Sequence, residues 1–165
     1  MNTLRVKLPH LKSRSVSDTG RIGRALAKQI APGLLILLHG DLGAGKTALA
    51  IEIGKALGAP HIKSPSFAIE SVYTLPAGNF SLVHADLYRL EETRNTALQL
   101  EEYIEDGQAV LVEWGGKWKD APSDHRWDIE IFEMEDGSRV LNLSACGERA
   151  AASLSRAYAE VVSCL

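Results

Sequence analysis

The sequence predicts an α/β fold of three layers, a central mostly parallel sheet with antiparallel hairpins and helices on both faces. Three observations carry that expectation. The apolar run at 34–38 leads into a glycine-rich loop and a helix-periodic stretch, a second apolar run occupies 109–112, and period-two segments pair across short turns. Unbroken apolar runs suit strands covered on both faces, whereas alternation suits strands with one wet face.

Taken in order, residues 4–8 alternate at period two and form a first strand ended by Pro9. Ser17 or Asp18 then caps a helix whose apolar face uses Ile22, Ala25, Leu26 and Ile30 and which stops at Pro32-Gly33. Residues 34–39 form a buried strand, and residues 46–57 a helix with Leu49, Ile53 and Leu57 at helical spacing, closed by Gly58. Residues 67–75 and 80–84 read as strands joined by a turn at 76–79, an antiparallel hairpin. Residues 91–103 have helix-forming composition with Leu98 and Leu100 inward, and Asp106-Gly107 ends that helix before the strand at 109–112. A second hairpin joins 127–131 to 140–143 through a turn at 135–138. The final stretch, 148–165, is an Ala-rich helix with Leu154, Tyr158, Val161 and Leu165 on one stripe. No repeat or linker interrupts the chain, so one domain over 1–165 is expected.

Eighteen basic against 21 acidic residues give a net charge of −3, and no block of like charge favours autonomous binding to nucleic acid. Cys146 and Cys164 lack the spacing of a zinc site or disulfide framework. The N-terminus has no signal-peptide core, and the longest apolar run is too short to span a bilayer, so a cytoplasmic protein is expected.

The chemistry concentrates in HGDLGAGKT, residues 39–47. Residues 40–47 match G-x-x-x-x-G-K-[ST], the P-loop pattern, which places the expected fold among the P-loop NTPase-like architectures. Backbone N–H groups of Asp41, Leu42, Gly43, Ala44 and Gly45 turn inward onto phosphate, aided by the helix N-terminus. Lys46 reaches the β- and γ-phosphates, and Thr47 offers its hydroxyl to Mg²⁺. Nucleotide hydrolysis also needs an acid near a neighbouring strand end. Glu113, after the strand at 109–112, and Asp86, after the strand ending in Val83-His84, are the candidates.

HGDLGAGKT, KSPSF at 63–67, HADLYRL at 84–90 and LVEWG at 111–115 occur in the order and at spacings similar to those of the bacterial TsaE (YjeE) family. That family is the ATPase component of the machinery making N6-threonylcarbamoyladenosine in tRNA. The resemblance covers about residues 15–145 and leaves the C-terminal helix outside. It implies that Gly43, Gly45 and Lys46 bind ATP phosphates, that Thr47 and Glu113 bind Mg²⁺, and that Asp86 is a second essential acid, near the metal or the attacking water. It puts Ser66, where the family usually has threonine, in a switch-like loop near the γ-phosphate. Thr19 falls where a family segment lies close to the base, or else serves the helix start, and Arg139 matches a basic position that approaches the nucleotide, or else is a surface cation. Trp114 completes the family's Glu-Trp pair and either walls the site or is a buried aromatic. His39 and His84 are read as packing beside the site, and Trp118 as exposed for a partner or folded inward.

The resemblance further implies work with TsaD and TsaB, tRNA being reached only through that complex, and slow turnover of the isolated chain, for which no arginine finger is assignable. A P-loop small-molecule kinase is the enzymatic alternative, although no arginine-rich lid appears between Asp86 and Trp127. A nucleotide-dependent binding module that needs no hydrolysis is the other.

Overall fold

In the computed structural model, which describes residues 3–65 and 68–164, the two unbroken apolar runs lie side by side at the centre of one sheet. Its strands are β1 (Arg5–Lys7), β2 (Leu11–Ser13), β3 (Leu35–His39), β4 (Glu70–Thr74), β5 (Ser81–Asp86), β6 (Ala109–Glu113), β7 (Arg126–Glu133) and β8 (Arg139–Cys146). The helices are α1 (Val16–Ala27), α2 (Lys46–Ala56), α3 (Arg94–Glu105) and α4 (Glu148–Cys164). The order across the sheet is β1-β8-β7-β3-β6-β5-β4, with β2 also paired to β8. Strands β5, β6, β3 and β7 run parallel. The β4-β5 and β7-β8 hairpins and the pairings of β1 and β2 with β8 are antiparallel.

Alternate residues of the parallel strands feed two cores. Ile36, Leu38 and Leu111 join α1, α2 and α4 in the larger one, while Leu35, Leu37, Val83, Val110 and Val112 face α3 in the smaller. Both faces of β3 and β6 are therefore covered, which is why neither run alternates in sequence. No described helix is long and apolar enough to cross a membrane.

Several boundaries differ from the sequence expectation, each for a physical reason. The first strand ends before Pro9 as expected, but the chain then resumes pairing with β8 as a further edge strand, β2. The missing N–H costs no ladder bond on an edge. Helix α1 is capped by Ser15, not Ser17 or Asp18: the Ser15 hydroxyl accepts from the Asp18 N–H at 3.1 Å, and Asp18 accepts from the Arg14 N–H at 2.8 Å. Helix α1 ends at Ala27, ahead of Pro32. Strand β5 runs through Asp86, so that carboxylate ends the strand instead of following it. Helix α3 buries Leu100, with Ala97, Tyr103 and Ile104 partly buried beside it, and this spacing leaves Leu98 54% exposed rather than inward. Trp118 folds inward among the residues of the smaller core. In α4, Ala150, Leu154, Ala157 and Val161 pack into the larger core, and the Trp127 indole donates to the Ala150 carbonyl at 3.0 Å. Ser66, Phe67 and Leu165 lie outside the described residues.

Candidate functional site

The glycine loop joins β3 to α2 at the C-terminal ends of the parallel strands. Gly45, the residue before α2, has φ +112°, a left-handed conformation that strains any side-chain-bearing residue. A Cβ at Gly40 would meet the Ile131 carbonyl oxygen at 2.5 Å, so the backbone there passes too close to β7 for any larger residue. No side chain caps α2. Its first-turn N–H groups therefore keep their capacity for an anion, reinforced by the positive end of the helix dipole.

Lys46 is buried, and its ammonium donates to the carbonyls of Gly40 at 2.6 Å and Asp41 at 2.8 Å. It also lies 4.1 Å from the centre of the Trp114 ring, a cation–π contact. Burial pushes its pKa down, and the nearby Glu113, Asp86 and Asp41 carboxylates offset only part of that. Trp114 itself has φ +59° and packs on Tyr88 with ring centres 4.9 Å apart. Gly115 follows because a Cβ there would meet the Leu37 Cβ at 2.6 Å.

The two acids are register partners: Asp86 ends β5, Glu113 ends β6, and Glu113 also stands opposite Leu38 of β3. Thr47 donates to Glu113 Oε2 at 2.7 Å, and His84 Nε2 lies 2.8 Å from Glu113 Oε1. Both carboxylate oxygens are thus engaged in a side chain only 2% exposed. Asp86 Oδ1 accepts from the Tyr88 N–H at 2.9 Å. A cleft of about 200 Å³ opens between Gly43, Lys46, Thr47, Asp86, Glu113 and Trp114. His84 is a correction: it bonds the site's acid instead of merely packing nearby. Its spacing from Asp86, two residues along one strand, was the available signal, because such residues share a face.

Thr19 and Arg139 meet across a second cleft of about 300 Å³ that shares Gly45 and Ala48 with the first. The Thr19 hydroxyl is 2.8 Å from that of Ser13. Arg139 Nε donates to the Ala44 carbonyl at 2.8 Å and Nη1 to the Gly137 carbonyl at 2.6 Å, with Glu133 at 3.3 Å. Arg139 thereby ties the glycine loop to β8. Asp86 also lines a third cleft, with Ser64 and Pro65. Ser66 falls outside the described residues, and His39 pairs instead with Asp128 at 3.0 Å, a carboxylate that Arg126 also binds.

The residues present fit a phosphate group with a divalent cation. The loop and uncapped helix offer N–H donors to the anion, and the adjoining Thr47 hydroxyl and Glu113 carboxylate offer two hard oxygens. Among the described residues there is no cluster of three or more His, Cys, Asp or Glu able to hold a metal by itself. A Mg²⁺ here would complete its shell with phosphate oxygens and water, its usual habit.

The family model described as "Threonylcarbamoyl adenosine biosynthesis protein TsaE" matches residues 13–141, from the end of β2 into β8, including every element of this site. The chain belongs to the TsaE family. It is 36% identical over 135 residues to the "tRNA threonylcarbamoyladenosine biosynthesis protein TsaE" of Streptomyces coelicolor, covering 78% of this chain and 90% of that protein. The TsaE proteins so named from Bacillus subtilis and Nostoc are 34% identical over 145 residues and 39% over 132. They span 86% and 77% of this chain, and 90% and 80% of their own lengths. The crystal structure of Bacillus subtilis YdiB superposes with a TM-score of 0.74 at 26% identity, covering 96% of this chain and 97% of that one. The three-layer, P-loop NTPase-like architecture is thus shared with that structure. The TsaE match stops at Leu141, before α4.

Proposed function

We propose that this chain is the Mg²⁺-dependent, ATP-binding and ATP-hydrolysing component required to form the threonylcarbamoyl group on N6 of the adenosine next to the tRNA anticodon, acting in the cytoplasm with TsaD and TsaB. Membership of the TsaE family supports the pathway. The observation that carries the catalytic reading is the contact of Thr47 with Glu113 beside buried Lys46, with Asp86 in register on the next strand.

In this reading the N–H groups of residues 41–47 and Lys46 hold the ATP phosphates, while Thr19 and Arg139 border the neighbouring cleft that would take the rest of the nucleotide. Thr47 and Glu113 hold Mg²⁺, which when bound would neutralise phosphate charge. Asp86, which also lines the cleft with Ser64 and Pro65, orients the water, and Ser66 has the γ-phosphate role that the family resemblance implies. Most of the catalytic effect in such sites is positioning and charge stabilisation. Lys46 must exchange two backbone carbonyls for phosphate oxygens, a favourable trade for a buried cation.

The discriminating experiment measures ATP hydrolysis, nucleotide binding and modified-tRNA yield separately for wild type and Glu113→Gln, each with and without TsaD and TsaB. A metal held in place contributes several kcal/mol to the transition state, so the variant should lose hydrolysis on the order of 10²-fold and lose modification with it. Wild type should turn over faster with its partners. Modification that survives without hydrolysis, or equal rates with and without TsaD and TsaB, would sink the proposal.

A further inference from the structure

His84 occupies a place that packing alone does not account for. It is fully buried on β5, between β6 and β4, where apolar neighbours such as Leu82, Val83 and Ala85 would satisfy the core. A polar ring there costs free energy unless its hydrogen bonding is worth more than the burial. One nitrogen is engaged: Nε2 is 2.8 Å from Glu113 Oε1. The other, Nδ1, is buried with no hydrogen-bond partner among the described residues. The ring therefore retains one bond, and that bond goes to the acid at the end of β6.

The register explains how. His84 stands opposite Leu111, and Asp86 opposite Glu113, so His84 and Glu113 are diagonal neighbours on one face of the sheet. The Glu113 side chain has several rotatable bonds. Anchoring Oε1 on a fully buried ring leaves Oε2 directed at Thr47. A carboxylate acceptor requires Nε2 to carry the hydrogen, and in the neutral ring this leaves the orphaned Nδ1 an acceptor, a cheaper group to leave unpaired than a buried N–H donor.

We infer that His84 is a positioning residue, which through its Nε2–H···Oε1 bond fixes the Glu113 carboxylate in the orientation that presents Oε2, with the Thr47 hydroxyl, to a divalent cation. It acts through Glu113 and touches neither phosphate nor metal. The inference rests on the Mg²⁺–ATP reading above. Outer partners of metal-ligating groups typically contribute 10- to 100-fold in metal affinity.

The test uses the full chain with a non-hydrolysable ATP analogue, titrated with Mg²⁺. His84→Leu, which fills the space without a donor, should raise the Mg²⁺ concentration for half-maximal tightening of analogue binding about 10- to 100-fold, with binding in EDTA unchanged. His84→Gln, whose side-chain amide supplies a donor, should recover most of that. In the wild type, two-bond ¹H–¹⁵N spectra should show the Nε2–H tautomer of His84, with its shift moving when Mg²⁺ and analogue are added together. A His84→Leu response equal to wild type, or an Nδ1–H tautomer, overturns the positioning role while leaving the ATP reading intact. Absence of any analogue binding by wild type overturns the ATP reading and this inference with it. Because the spectral measurement needs no substitution, a His84→Leu chain that failed to fold would leave it decisive.

Discussion

His125 shows how a single side chain can make stability depend on pH. It precedes β7, its carbonyl accepts from the Leu35 N–H, and neither ring nitrogen has a hydrogen-bond partner among the described residues. Burial pushes its pKa below the ordinary 6.5, Arg149 pushes it further down, and Asp124 opposes them in part. The unfolded chain therefore takes up this proton more readily than the folded one. The resulting stability is fully present above pH 6.5 and is lost as the pH falls from there through the lowered folded value. Thermal unfolding followed from pH 7.5 to 5 should show a declining midpoint for wild type and a shallower decline for His125→Leu. Parallel profiles would mean the ring is not held neutral by the fold. At the same scale, Lys46, Thr47, Asp86 and Glu113, the residues singled out in the sequence, line one cleft. His84 escaped because its partner is 29 residues away on another strand.

Among elements, the approach of α1 to α2 decides how firmly the loop-bearing helix is seated. Gly23 faces α2 at the crossing, where a Cβ would meet the Glu52 Cβ at 2.8 Å and the backbone of Glu52 and Ile53 at 3.2 Å. Gly23→Ala gains roughly 1 kcal/mol of helix propensity. Against that, overpacking costs about 1–3 kcal/mol, and backbone cannot yield as the end of a flexible side chain does. The clash wins, so urea unfolding should find the variant less stable by about 1 kcal/mol with an unchanged slope. A stabilised variant would show that the helices separate freely. Element identities were legible because helical and strand periods are written in consecutive residues. Their ends were less so: Ser15, Ser17 and Asp18 all suit a cap, and only the extended backbone of Ser15 chooses among them. Leu98 and Leu100 are equally apolar, and only the position of α3 over β6 selects Leu100.

Over the whole molecule, α4 lies beyond the TsaE match yet belongs to the core. Leu154 and Val161 are buried, each stabilising by about 1.5–3 kcal/mol, and Ala150 supplies the acceptor for the Trp127 indole. Removing residues 148–165 would expose the apolar face they cover and lose that hydrogen bond, about a further 1 kcal/mol net. The sum is comparable with the entire stability of an ordinary domain, about 5–15 kcal/mol. A chain ending at Gly147 should therefore lose its cooperative thermal transition. Retention of a midpoint within a few degrees of wild type would assign α4 a peripheral role.

What the sequence by itself determined is whatever lies along the chain: buried strands in their unbroken apolar runs, hairpins in their alternation, the glycine loop that runs into Lys46 and Thr47, and the family in four spaced motifs. Only the tertiary structure decided what meets across it. Parallel register put Asp86 beside Glu113, the hairpin brought Arg139 onto the Ala44 carbonyl across 95 positions, and Trp114 came to lie over Lys46. The reason is physical: local geometry follows from backbone dihedrals and period, whereas strand register is fixed by which faces two distant segments bury together.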